Sequence, residues 1–138
     1  MRWLMAVDEA ATVAILGGAV TAVIRRRRPA ALRVGDEIYL YASTLERVVG
    51  RFEVAGVELD SGAGIARRYH RQAGATLTAA LGQLRTCRAS AAVLVGTGSQ
   101  MEPMALPTGL PHPEDGLLPI VDPEIERLLD RAEKAMHA

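Results

Sequence analysis

The chain predicts an α+β domain, and three features carry that expectation. Ile38-Tyr39-Leu40-Tyr41-Ala42 alternates with a period of two, as a strand does. Ile125, Leu128, Leu129, Ala132 and Met136 fall on one stripe at helical spacing. Between these, short apolar runs broken by glycine and proline alternate with segments that open on capping residues. At 138 residues and 49% apolar, the chain is long and apolar enough to close one core without disulfides or a metal. Aromatics are only 4%, so that core is built from Ala, Val, Leu and Ile.

Trp3 to Val7 reads as a first strand. Asp8 has the chemistry of an N-cap and Glu9 suits the first turn of a helix, which runs to about Leu16 and stops at Gly17-Gly18. Val20 to Ile24 reads as a second strand that delivers Arg25-Arg26-Arg27-Arg28 to its end, closed by Pro29. Leu32 to Glu37 is a turn into the strand 38–42, whose alternation sets Tyr39 and Tyr41 on one face and Ile38 and Leu40 on the other. Arg47 to Leu59 is a further strand, with Gly50 and Gly56 marking a bulge or a close backbone approach. Residues 62–71 and 75–88 read as helices, the second with Leu77, Leu81 and Leu84 on one side. Ala91–Val95 and Met101–Leu106 read as two separate strands. Four prolines make 107–121 an extended linker, and Asp122-Pro123 opens a terminal helix. The division expected is a domain at 1–107, a linker at 108–121 and an amphipathic helix at 122–138. The stripe of that helix is to be buried on the domain or in a homodimer with a second copy.

Residues 10–24 carry no charge and precede the arginine block, which mimics a membrane anchor with a positive flank. Fifteen helical residues span only about 22 Å against a hydrocarbon core of about 30 Å. Gly17-Gly18 also interrupts the run, so a helix, a turn and a strand are expected, with no membrane partner and a cytoplasmic location. Net charge is zero but unevenly spread. Residues 25–88 hold twelve Arg and six acids, a surplus of +6; residues 89–138 hold three basic residues and eight acids, −5. A basic body with an acidic tail implies an anionic ligand or a tail folded back on the body.

The order of these segments resembles the ASCH family of small PUA-like domains. That family keeps a strand, a short helix ending in glycine, then G-x-K-x-x-E-x-R, a "GD" turn and a tyrosine-rich strand ending in Ala-Ser. Here Ile15-Leu16-Gly17-Gly18 is similar to the helix end, Gly18 to the motif glycine and Arg25 to its arginine. Leu32-Arg33-Val34-Gly35-Asp36, Tyr39-Leu40-Tyr41-Ala42-Ser43 and Val48-Val49-Gly50-Arg51-Phe52-Glu53-Val54 resemble the next segments. The likeness covers roughly residues 3–59, with a weaker echo at 91–106. It implies a small, partly open β-barrel with flanking helices.

Two departures bear on activity. Val20 stands where the family has lysine and Val23 where it has an acid or threonine. Some ASCH proteins resemble amidohydrolases acting on acetylated cytidine and others have been assigned ribonuclease activity, and both use that lysine. Valine can neither move a proton nor attack a carbonyl, and Glu9 and Asp36 are the nearest acids on either side. The resemblance therefore implies a module that binds RNA or a nucleotide without catalysis. The alternatives are an enzyme with relocated groups, or an interaction and dimerisation module with a vestigial pocket.

The phosphate-binding candidates are Arg25, Arg26, Arg27 and Arg28, whose forked donors match phosphate oxygens. Tyr39 and Tyr41, for stacking, and Ser43 and Thr44, by the resemblance, are expected to line a pocket beside them. Arg67, Arg68 and Arg71 form a secondary basic patch that Arg85 and Arg88 extend. No catalytic residue, cofactor or metal is expected: His70, His112 and His137 lack ligand spacing, and Gly96-Thr97-Gly98 is too short for a nucleotide loop. The single cysteine, Cys87, excludes an internal disulfide and reads as an inert thiol.

Overall fold

Every helix whose start the sequence marks with a capping residue begins where that residue can accept from the free backbone N–H groups. A computed structural model describes residues 1–27, 31–107 and 117–136. Asp8 Oδ1 accepts from Ala11 N at 2.7 Å and opens α1 (Glu9–Leu16), which follows β1 (Arg2–Val7). Ser61 and Thr76 open α2 (Gly62–Tyr69) and α3 (Leu77–Leu84) by bonds of 3.1 Å to Gly64 N and Ala79 N. Asp122 Oδ1 accepts from Glu124 N at 2.8 Å and opens α4 (Pro123–Met136). Each such cap stabilises its helix by about 1 kcal/mol.

The strands are β2 (Ala22–Arg25), β3 (Glu37–Ala42), β4 (Arg47–Asp60), β5 (Ser90–Met104) and β6 (Leu117–Pro119). With β1 they form one six-stranded sheet in the order β2-β5-β4-β3-β1-β6, parallel only between β1 and β3. It is a mixed half-barrel with four helices, the α+β architecture expected for a PUA-like domain. The β4–β5 ribbon is its backbone, paired from Val48↔Met104 to Asp60↔Ser90. Register shifts fall between Val48 and Gly50 and between Val54 and Gly56, at the two glycines that the sequence singles out. A Cβ at Gly50 would lie 2.6 Å from Leu16 Cδ1 and 3.0 Å from Ser99 O, so the lack of a side chain lets Leu16 of α1 pack closely on β4.

The alternation of β3 divides the core as expected. Ile38 and Leu40 join Trp3, Met5, Ile15 and Phe52 in the cluster under α1. Tyr39 and Tyr41 join Leu4, Val48 and Leu129 in the cluster under α4. A third cluster packs Ile65 of α2 and Leu84 of α3 on Ala92 and Ile24.

Several expectations require correction. The two strands read at 91–95 and 101–106 are one strand, β5, because the facing strand β4 is long enough to pair with its whole length. The helix read over 75–88 ends at Leu84, and Leu77 is 39% exposed at its start rather than buried with Leu84. The stretch read as a linker contributes β6, which pairs antiparallel with β1; its residues 108–116 lie outside the described ones. For the stripe of α4, the structure takes the first alternative: Ile125 and Leu129 are buried within the chain and Ala132 packs beside them, while Leu128 is half-buried. Helix α4 is thus part of the same body as the sheet. The side chain of Met136 lies outside the description. The charge-free run 10–24 is α1, a turn and most of β2, and no described helix is long and apolar enough to cross a membrane.

Candidate functional site: an arginine cleft

Strand β2 pairs with β5 from Ala22↔Leu94 to Arg25↔Ala91, and the arginine block leaves the sheet where that pairing stops. Arg25 ends the strand half-buried, while Arg26 and Arg27 lie exposed in the bend that follows. Arg28 lies outside the described residues. The buried hydroxyl of Ser90 donates to the Arg26 carbonyl at 3.2 Å and fixes that bend.

Opposite stands the end of α3 and the loop leading into β5. Gly62 holds it in place: a Cβ at residue 62 would lie 1.7 Å from Leu84 O, so α2 abuts the end of α3 only because the residue is glycine. Gly62 N donates to Cys87 O at 3.0 Å, and Cys87 N to Leu84 O at 2.8 Å. Between these walls lies a cleft of about 800 Å³, lined by Arg25, Arg26 and Arg27 on one side and by Gln83, Thr86 and Arg88 on the other.

Four arginines therefore line one cleft, and among the described residues no acidic side chain lines it. Among the described residues none of the four makes a salt bridge; the arginines that do are Arg2, Arg51 and Arg68. Burial pulls Arg25 below the ordinary arginine range, since water is withdrawn and no carboxylate replaces it. Such a site favours an anion that brings several acceptor oxygens.

The acidic tail does fold back, but on other arginines. Glu133 of α4 lies 3.5 Å from Arg51 Nε and from Arg2 NH2, and Arg2 also pairs with Asp130. Arg51 NH1 reaches Glu37 at 3.2 Å. Tyr39 sits inside this network, its hydroxyl bonded to Glu37 and Glu133. Burial and the hydrogen bond to Glu133 push that hydroxyl far above the ordinary tyrosine range.

The expected pocket beside the arginines is not formed by the residues named for it. Tyr39 is 0% and Tyr41 5% exposed, both packed in the cluster that α4 covers, so neither offers a stacking face. Ser43 and Thr44 are exposed in the turn after β3. That turn joins the start of β4, which pairs with the end of β5, whereas Arg25 pairs with the start of β5. The arginine block and the tyrosine strand thus sit at opposite ends of the β4–β5 ribbon. None of Tyr39, Tyr41, Ser43 and Thr44 lines the cleft.

The secondary patch also divides. Arg88, read with the α2 cluster, belongs to the cleft. Arg67 and Arg71 are exposed, and Arg68 pairs with Asp60 at 3.3 Å while its guanidinium lies 5.5 Å from the Tyr69 ring centre. The signal that would have joined Arg88 to the cleft is the absence of acids between Asp60 and Glu102, a stretch with five arginines. Val20 and Val23 pack half-buried against the cluster under α1. Among the described residues no group of His, Cys, Asp or Glu is placed to hold a metal ion, and His112 and His137 lie outside them.

No protein-family model and no curated protein matches the chain. Solved structures do. The ASCH protein of Zymomonas mobilis superposes with a TM-score of 0.80 at 18% identity, covering 94% of each chain. A serine-to-alanine variant of that protein gives 0.82, and a tyrosine-to-phenylalanine variant 0.80, both at 18% identity over 94% of this chain. The superposition runs far beyond residues 3–59 and takes in the β4–β5 ribbon and the terminal helix, so the chain has the ASCH fold.

Proposed function

We propose that this protein is a non-catalytic nucleic-acid-binding module of ASCH type, with RNA as its target, and that it holds phosphates in the cleft formed by Arg25, Arg26, Arg27 and Arg88. The observation that carries the reading is that four arginines line one cleft while, among the described residues, none of them makes a salt bridge and no acid lines it. In a protein of zero net charge this is a local choice, because Asp130 and Glu133 of α4 are spent on Arg2 and Arg51. Val20 and Val23 favour capture over turnover, since neither can act as acid, base or nucleophile. Arg67 of α2 and Arg71, just past its end, extend the basic surface beyond the cleft.

Fluorescence anisotropy of a short labelled single-stranded RNA tests this. Binding should weaken as salt rises, with a log–log slope of about −0.7 for each phosphate contact. Replacing Arg26 and Arg27 by alanine should weaken binding and flatten that slope. Binding that ignores salt, or that survives the double replacement unchanged, overturns the reading. Turnover of acetylated cytidine or cleavage of RNA would favour the enzyme alternative.

A further inference from the structure

The lining of the cleft also bears on which phosphate it takes. Among the described residues no aromatic side chain lines it, so a base entering the cleft finds no ring to stack on. Two of its backbone acceptors are already engaged, the Arg26 carbonyl by Ser90 and Cys87 O by Gly62 N. What remains is dominated by donors, up to five N–H groups on each guanidinium. A base edge presents donors and acceptors together, whereas a phosphate chain presents acceptors alone.

Charge density points the same way. An internal phosphodiester carries one negative charge and is separated from the next by a sugar. A phosphate monoester carries about −1.5 to −2 near neutral pH, and a di- or triphosphate end concentrates more within a few ångströms. Four guanidiniums around about 800 Å³ match the concentrated form better than a spaced one. The cleft also lies within the usual size range of small-ligand pockets, roughly 300–1,000 Å³.

The two walls are held before any ligand arrives. Arg25 is fixed by the pairing of β2 with β5, and the loop carrying Arg88 by the contact between Gly62 and α3. Arginines carried on two walls whose backbone is already held can engage successive phosphates of one chain with little backbone ordering. Gly62 at the start of α2 meets Leu84 at the end of α3. Arg67, in the last turn of α2, and Arg71, just past it, are exposed and extend the basic surface available to the rest of a strand.

We propose that the cleft is a receptor for a terminal polyphosphate, specifically the 5′-di- or triphosphate end of an RNA. This rests on the nucleic-acid reading above and narrows it. The same chemistry is presented by a free nucleoside triphosphate, and the experiment separates the two sources.

One short RNA is prepared with a 5′-hydroxyl, a 5′-monophosphate or a 5′-triphosphate, labelled at its 3′ end, and titrated with the full chain in metal-free buffer. Affinity should rise in that order, with the triphosphate form bound about tenfold tighter than the hydroxyl form or better. Inorganic tripolyphosphate should compete, and Arg26→Ala, Arg27→Ala and Arg88→Ala together should erase the difference. Arg88→Lys, which keeps the charge and loses the fork, should retain only part of it. Thermal melts of the variants should match the parent, showing that the loss is not one of folding.

Equal, salt-sensitive affinity for all three RNAs overturns the terminal-phosphate inference and leaves the nucleic-acid reading standing. Binding of free nucleoside triphosphate as tight as that of the triphosphate RNA overturns the assignment to an RNA end. Failure to bind any of these ligands overturns both readings.

Discussion

Arginines at two places in this fold meet opposite fates. Arg2 and Arg51, over the β1–β3–β4 part of the sheet, are bound to Glu37, Asp130 and Glu133 and fasten α4 to the body. Arg25, Arg26, Arg27 and Arg88, at the far end of the sheet, have no carboxylate partner among the described residues. The residue type is the same and the chain supplies equal numbers of both signs. What differs is where the topology delivers the acids. Paired guanidiniums hold an element in place, and unpaired ones grouped in a concavity are left for a ligand.

The hardest blow to that contrast is Gly62→Val, which drives a side chain into Leu84 O. It should cost about 4 kcal/mol or more and displace the wall that carries Arg88; a denaturant midpoint near that of the parent would show that the two helices are not held as described. Next comes the joint replacement of Arg26, Arg27 and Arg88 by alanine. RNA affinity should fall about a hundredfold or more, with unfolding free energy within about 0.5 kcal/mol of the parent. Glu133→Ala should do the reverse. Chemical denaturation should report a loss of about 1–3 kcal/mol from the broken network, while RNA binding stays unchanged. Should Glu133→Ala weaken RNA binding as strongly as the arginine variant, the two regions are not independent.

The smallest expected effect is on pH dependence. Burial of Asp36 opposes its charge, but bonds from Arg33 N and the Trp3 indole N–H outweigh it and hold the carboxyl below its ordinary value of 3.8. A depressed pKa means that Asp36 stabilises the fold fully above that value and ceases to do so as pH falls through its folded value. Asp36→Asn should therefore flatten the acid limb of a stability–pH curve. Glu37 and Glu133 partly cancel. Burial, then the bond to Glu133, pushes Glu37 up, which favours folding at low pH. Glu133 is held down despite its burial, first by Tyr39, and its contribution is lost as pH falls.

Local signals were legible and long-range ones were not. Asp8 and Asp122 cap their helices as read, because a cap is decided within four residues, whereas Thr76 caps α3 from inside the range read as helix. The alternation of 38–42 sorted Ile38 and Leu40 from Tyr39 and Tyr41 correctly, because period-two patterning is a property of the strand itself. It could not reveal that α4 covers the tyrosine face, which depends on a helix more than eighty residues away. Strand β5 reads as two because Gly96 and Gly98 resemble a break, yet at Gly96 a Cβ would lie 2.8 Å from Glu53 O, and the gap in side chains is what lets β4 approach. Strand β6 hid among prolines, and Pro119 is tolerated because the strand is at the sheet edge. Arg25 to Arg27 stood out as a charge run, but the wall facing them, with Arg88, is assembled by the packing of α2 on α3.

The placement of β6 has a bearing on how the molecule comes into being. Strand β1 is finished on one side only when residues 117–119 arrive, and Arg2 finds its acids only in α4. During synthesis β1 must therefore wait, its outer edge open and Leu4, Tyr39 and Tyr41 uncovered, until residues 117–136 have left the ribosome. Such distant pairings slow folding and prolong the time in which an unsatisfied edge can capture another chain. The cleft at the other end, built from β2, the α2–α3 pair and the start of β5, is complete much earlier in the order of emergence.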